Sequence, residues 1–320
     1  MQLGKRKMNK KITVGAGTEF PLKGILALPD DLSRPVPAVV MVHGSGASNR
    51  DEKVMSLTPF RDLAEGLRQH GIASLRYDKR TFAHARKMAK LDGTVRDETI
   101  EDAVAALELL KADPRIDRDN VFLLGHSMGA MLAPRIDAEG GNVKGLIMMA
   151  GTPRRMEEIV LRQLKQGQSA KPPLRWIIKH QYRKYERLFN GLYQMSDEEA
   201  RKKKFAGSIS MYYFKEMGMK TAGDYLLESR KPVLIMQGGR DFQVLAQDDF
   251  LAFQRILQGK DNVEYRLYPD LNHCFVPAIY DDILKASKDY RVERHIGSDV
   301  IGDIAAFIEK NAAGGAETAR

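Results

Sequence analysis

Short apolar-rich runs alternate along this chain with segments whose apolar residues recur every three or four positions. The runs lie at residues 38–42, 72–77, 121–124, 143–150, 232–237 and 263–268. Runs this short, mostly without polar alternation, predict strands covered on both faces, as in a parallel sheet. Between them Phe60, Leu63, Ala64 and Leu67 form one helical stripe, with Gly71 as its stop. Ile100, Ala103, Val104 and Leu107 form a second, with Asp97, Glu98 and Glu101 suited to the positive end of its dipole. A helix is predicted near residues 250–257, and Ile301, Ile304, Ala305 and Ile308 mark a last one. Pro134 predicts that the helix after residue 127 is short or kinked. Residues 11–14 and 22–28 predict a leading pair of strands, antiparallel to each other. The fold class that follows is α/β, a mostly parallel sheet flanked by helices.

The alternation breaks at residues 152–230, where helical stripes follow one another without a convincing strand. Met156, Ile159, Val160 and Leu164 share one stripe, Ile178, Tyr182, Tyr185 and Phe189 another, and Ser196 with Glu199 predicts a capping box. We read this segment as an inserted helical cap, leaving residues 1–151 and 231–320 as the core.

With 320 residues, 43% of them hydrophobic, the chain has ample material for such a core. Its single cysteine, Cys274, excludes an intramolecular disulfide framework and a cysteine-rich zinc site. No apolar run has the length of a membrane span or of a signal-peptide core, so the expected location is the cytoplasm. The net charge of +9 is concentrated at residues 1–11 and in 152–230. No zinc-finger spacing or RNA-binding aromatic strand accompanies it, so nucleic acid is not an expected partner and the charge reads as a solvated face. The last residues, 311–320, are small and polar and are expected to fray.

The chemistry is carried by Gly125-His126-Ser127-Met128-Gly129, placed directly after an apolar strand. That placement predicts a sharp strand-to-helix turn with Ser127 at its apex, the glycines allowing strand and helix to pass close by. A nucleophilic serine needs a base, an acid to orient the base and backbone donors for an oxyanion. Asp241 follows the strand at 232–237 through Gly238-Gly239-Arg240, and His273 follows the strand at 263–268. Ligand sites of open α/β sheets lie at such strand ends, and the order Ser127, Asp241, His273 suits this fold. His43 and His126 belong to glycine loops and read as shaping them, while His70, His84, His180 and His295 lie elsewhere in the series. Asp270 is too close to His273 on one loop to orient its ring. The amides of Met128 and of Ser45, in the loop His43-Gly44-Ser45-Gly46, are the expected oxyanion donors. In the cap, Trp176, Phe205, Met211, Tyr212, Phe214 and Met217 are candidates for an acyl pocket, against the alternative that they hold the cap together.

These motifs, with Arg50-Asp51-Glu52, Arg76-Tyr77-Asp78-Lys79-Arg80, Leu132 to Arg135, Leu267-Tyr268-Pro269 and Asn272-His273, resemble the α/β-hydrolase superfamily. Within it the chain is most similar to bacterial carboxylesterases near the dienelactone-hydrolase and acyl-CoA-thioesterase-like branches. The resemblance implies a Ser-Asp-His esterase, with no metal or organic cofactor, acting on a small-molecule ester or thioester. Dienelactone hydrolases carry a cysteine nucleophile where this chain has Ser127, and Cys274 reads as a packed neighbour of the base. Acyl-CoA thioesterase, small peptidase and non-enzymatic scaffold are the alternative readings.

Overall fold

The computed structural model describes residues 9–312. The basic residues 5–7 and the tail at 313–320 lie outside them. Eight strands form the main sheet: β1 (Asn9–Val14), β2 (Leu22–Ala27), β3 (Val36–Val42), β4 (Ala73–Tyr77), β5 (Ile116–His126), β6 (Leu146–Met149), β9 (Val233–Gly238) and β10 (Val263–Tyr268). A separate hairpin supplies β7 (Lys204–Phe205) and β8 (Ile209–Ser210). The order across the sheet is β1-β2-β4-β3-β5-β6-β9-β10. β2 runs antiparallel to both its neighbours, and every pairing from β4 to β10 is parallel.

Side chains of the central strands alternate between two apolar cores, as the period of two in a strand requires. Val40, Val42, Leu123, Met148 and Ile235 face the helices Glu101–Lys111, Met128–Ile136 and Leu251–Ile256. Val39, Met41, Leu124, Ile147 and Met236 face the helices Pro59–Gln69 and Ser298–Asn311. Gly71, just past the end of Pro59–Gln69, has φ +75°, which is why the chain can turn there into β4. Pro134 lies inside Met128–Ile136, which runs for nine residues before a kinked turn at Asp137–Gly141.

Between β6 and β9 the chain forms the helices Met156–Gly167, Leu174–Phe189, Asp197–Lys202, Met211–Gly218 and Ala222–Glu228. Ser196 and Glu199 form the anticipated capping box. The hairpin β7-β8 corrects the expectation that this segment holds no strand: each strand is two residues long, too short for a periodic signal. Tyr185, Phe189, Leu192, Ala200, Met211 and Phe214 form its own small core. Ala222 and Leu226, at its far end, belong instead to the core beneath the helix Met128–Ile136. Thr152 and Arg162 converge on Asp249, whose carboxylate is fully buried, so the start of the segment is tied to the turn that follows β9.

Candidate active site

β3 and β5 lie side by side in the sheet, and both end in glycine-rich turns. At the end of β5, Ser127 has φ 55° and ψ −118°, a strained conformation for a residue with a side chain. The turn is fixed from both sides: Ser127 N–H donates to the Met149 carbonyl at 2.8 Å, and Met131 N–H donates to the Ser127 carbonyl at 3.1 Å. A Cβ on Gly125 would collide with the Gly129 carbonyl, and one on Gly129 with the Val42 carbonyl. Strand, turn and helix therefore pack at a separation that only glycine allows at these two positions.

Asp241 and His273 reach the same end of the sheet from the turns after β9 and β10. His273 Nδ1–H donates to Asp241 Oδ2 at 2.7 Å, both groups being buried. Gln237 Nε2 donates to the same oxygen at 3.0 Å, and the amides of Gln243 and Val244 donate to Oδ1 at 2.7 and 3.0 Å. This full set of donors holds the carboxylate still and leaves Nε2 as the free nitrogen of the ring. Ser127 and His273 line one cavity of about 180 Å³ with Ser45, Gln243, Cys274 and Tyr290. No hydrogen bond links Nε2 to the Ser127 hydroxyl here; the two groups meet as neighbours across that cavity.

The Gly44 loop lies against the serine turn closely enough that a Cβ on Gly44 would sit 3.1 Å from Ser127 Cβ. Neither the Ser45 nor the Met128 N–H is donated to another group among the described residues. Met128 N–H belongs to the first turn of a helix, where the backbone carries positive character.

The two histidines of the glycine loops play different parts. His126 Nε2 donates to the His273 carbonyl at 2.8 Å, and its Nδ1 lies 3.1 Å from Glu52 Oε1. Burial works against charge on this ring, but the Glu52 carboxylate outweighs it and holds His126 above the usual imidazole range. Glu52 Oε1 also accepts the Gly44 N–H at 2.8 Å, so a buried ion pair links the loop carrying the base to the loop carrying Ser45. His43, by contrast, is pulled down to about 4 by burial and stays neutral, with Nε2 donating to the Asn49 carbonyl at 3.0 Å. Cys274 lines the cavity, but burial first, and then the nearby Glu52 and Asp241 carboxylates, push its thiol well up. It is thereby held in the unreactive thiol form.

The cap residues proposed from sequence lie elsewhere. Met211 and Phe214 are buried in the small core of the segment between β6 and β9, with Phe205 and Tyr212 packed against it. Met217 joins the core near the helix Met128–Ile136. Trp176 is 66% exposed, on the side of its helix away from the buried Tyr185 and Phe189. None of the six lines the cavity at Ser127. Glu52, Lys79, Glu98 and Tyr213 carry the polar network around the Gly44 loop; sequence reasoning placed none of them in the site, quoting Glu52 and Lys79 only within family motifs and reading Glu98 only as suited to a helix dipole. The available signal was a cluster of charges directly after the wholly buried strand β4.

No group of three or more His, Cys, Asp or Glu among the described residues is arranged to hold a metal ion, and no described helix is long and apolar enough to cross a membrane. Residues 39–282 match the alpha/beta hydrolase family. Esterase EstD of Thermotoga maritima is 34% identical over 301 residues, which are 94% of this chain and 67% of that protein. Among solved structures, the Pyrococcus furiosus esterase Pf2001 superposes with a TM-score of 0.59 at 18% identity, covering 94% of this chain and 90% of the other. Est1E from Butyrivibrio proteoclasticus gives 0.56 at 17% identity, covering 95% and 99%. The strand order, the serine turn and the extent of these matches agree, and the chain belongs to the alpha/beta hydrolase family.

Proposed function

We propose that this carboxylesterase-type hydrolase cleaves small-molecule carboxylic esters through an acyl-enzyme on Ser127, with His273 as base and Asp241 orienting the ring. The observation that carries the reading is the buried 2.7 Å bond from His273 Nδ1 to Asp241, beside a serine held at positive φ in the same cavity. The bond sets the tautomer, so that Nε2 presents a lone pair. It takes the Ser127 proton as Oγ attacks the ester carbonyl, and the negative charge on the carbonyl oxygen meets the N–H groups of Ser45 and Met128. Collapse of the intermediate expels the alcohol, protonated by the same imidazolium. Water, activated by His273, then releases the acid and restores the serine. The hydrogen bond from Ser127 to Nε2 is expected to form once substrate excludes water from the cavity.

Ser127→Ala should lower turnover of a 4-nitrophenyl ester by about 10⁴-fold or more, with a folded protein by circular dichroism. Activity within tenfold of wild type would remove the proposal. A panel of esters, thioesters and aminoacyl arylamides defines the substrate class, with the esters expected to turn over fastest.

A further inference from the structure

The loop that offers the Ser45 N–H is built on an unusual foundation. Lys79 is 2% exposed, yet it carries an ammonium group. Its Nζ donates to the Gly44 carbonyl at 2.9 Å and pairs with Glu98 Oε1 at 2.6 Å. Glu98 Oε2 in turn accepts the Tyr213 hydroxyl at 2.7 Å, and that hydroxyl lies 3.6 Å from Met128 Sδ. The end of β4 and the residues after it grip the same loop: Lys79 N–H donates to the Ser48 carbonyl, Asp78 accepts the Arg50 guanidinium, and Arg76 donates to Asp51. Those three bonds hold the loop in place. Among the described residues, the Lys79 ammonium is the hydrogen-bond partner of the peptide that joins Gly44 to Ser45.

That peptide is the important one. The Gly44 carbonyl and the Ser45 N–H belong to a single planar unit, and in a trans peptide they point in opposite directions. A donor fixed on the carbonyl therefore aims the N–H, and the plane cannot rotate without breaking the Lys79 bond. The preceding peptide is pinned as well, because the Gly44 N–H is held by Glu52 at 2.8 Å. A cation on the carbonyl oxygen also draws electron density from the N–H, making it a better donor to an anion. Burying an ammonium is unfavourable before pairing, so the cation is a poor way to fill this space if packing were its only role.

We infer that Lys79 is a positioning residue for the esterase reaction: through the Gly44 carbonyl it orients and polarises the Ser45 N–H toward the oxygen that becomes negative in the transition state. Glu98 compensates the charge and holds the ammonium in place. The inference rests on the proposed acyl-enzyme chemistry and on Ser45 as an oxyanion donor.

The test is the double variant Lys79→Met, Glu98→Gln, which removes the cation without leaving a buried carboxylate unpaired. With one oxyanion donor misaligned, kcat for a simple ester should fall about 10- to 100-fold while KM stays within about threefold. Inhibition by a trifluoromethyl ketone, whose adduct places an oxyanion at the same point, should weaken by a similar factor. Inhibition by the product carboxylic acid should not change. Should the double variant fail to fold, Lys79→Gln, an uncharged and shorter side chain, is expected to show the same split between kcat and KM. A folded double variant, or failing that a folded Lys79→Gln, with wild-type kcat and trifluoromethyl ketone affinity would overturn the inference. The Ser127→Ala measurement separates the two levels: if it abolishes activity while the Lys79 variants do not change kcat, only the role of Lys79 is lost.

Discussion

His43 shows how one buried side chain sets a pH dependence. Its ring lies between those of Phe60 and Tyr77, with centroids 5.1 and 5.5 Å away. Burial lowers it from its ordinary value of 6.5 to about 4. Between those values the unfolded chain binds a proton that the native state refuses, so native stability falls as pH is lowered from 6.5 and levels off near 4. The full shift corresponds to about 3 kcal/mol. His126, held above the usual range, runs the other way, its contribution being present at low pH and lost as pH rises through its raised value. In His43→Gln, the fall in Tm between pH 7 and pH 5 should be shallower than in wild type. Parallel curves in thermal denaturation would contradict the assignment. At this scale Ser127, Asp241 and His273 were legible because each follows an apolar strand through glycines or a turn. Glu52, Lys79 and Glu98 were not. A charge after a buried strand reads as the start of a surface loop, and only the fold shows that these side chains turn inward onto the Gly44 peptide.

Among the elements, Asp249 ties the start of the segment between β6 and β9 to the core. Its fully buried carboxylate receives the Arg162 guanidinium, the Thr152 hydroxyl at 2.8 Å and the Leu245 N–H at 2.9 Å, with Arg154 Nε 3.3 Å away. Asp249→Asn would remove the buried anion that two guanidinium groups share, leaving Arg162 only the more exposed Asp248 and Arg154 only Glu158. The expected loss is about 2–4 kcal/mol by urea denaturation, below the usual maximum because Arg154 reaches solvent. A change under 0.5 kcal/mol would show that the start of this segment is held by packing instead. The helical stripes of this segment were visible in sequence, since Ile178, Tyr182, Tyr185 and Phe189 recur at the period of a buried face. Residues on an apolar stripe are those most needed to join the helices to one another, and Met211 and Phe214 are consumed in that way rather than exposed to a ligand.

Over the whole molecule, the sheet was the most readable feature. Its central strands are buried on both faces and bounded by glycine turns, and the alternation of strand and helix leaves few topologies. What composition and periodicity could not supply is distance. His273 and Asp241 are 32 positions apart in sequence and Ser127 lies 114 positions before the acid, yet the parallel order β5-β6-β9-β10 brings their turns to one edge. The central claim is that this convergence makes Ser127 the nucleophile, and covalent labelling with a fluorophosphonate, read by peptide mass mapping, tests it most directly. The account predicts one adduct per native chain, on Ser127, none on Cys274, and none in Ser127→Ala or in unfolded protein. An adduct on another residue, or no adduct on Ser127 in a protein that hydrolyses esters, would contradict it.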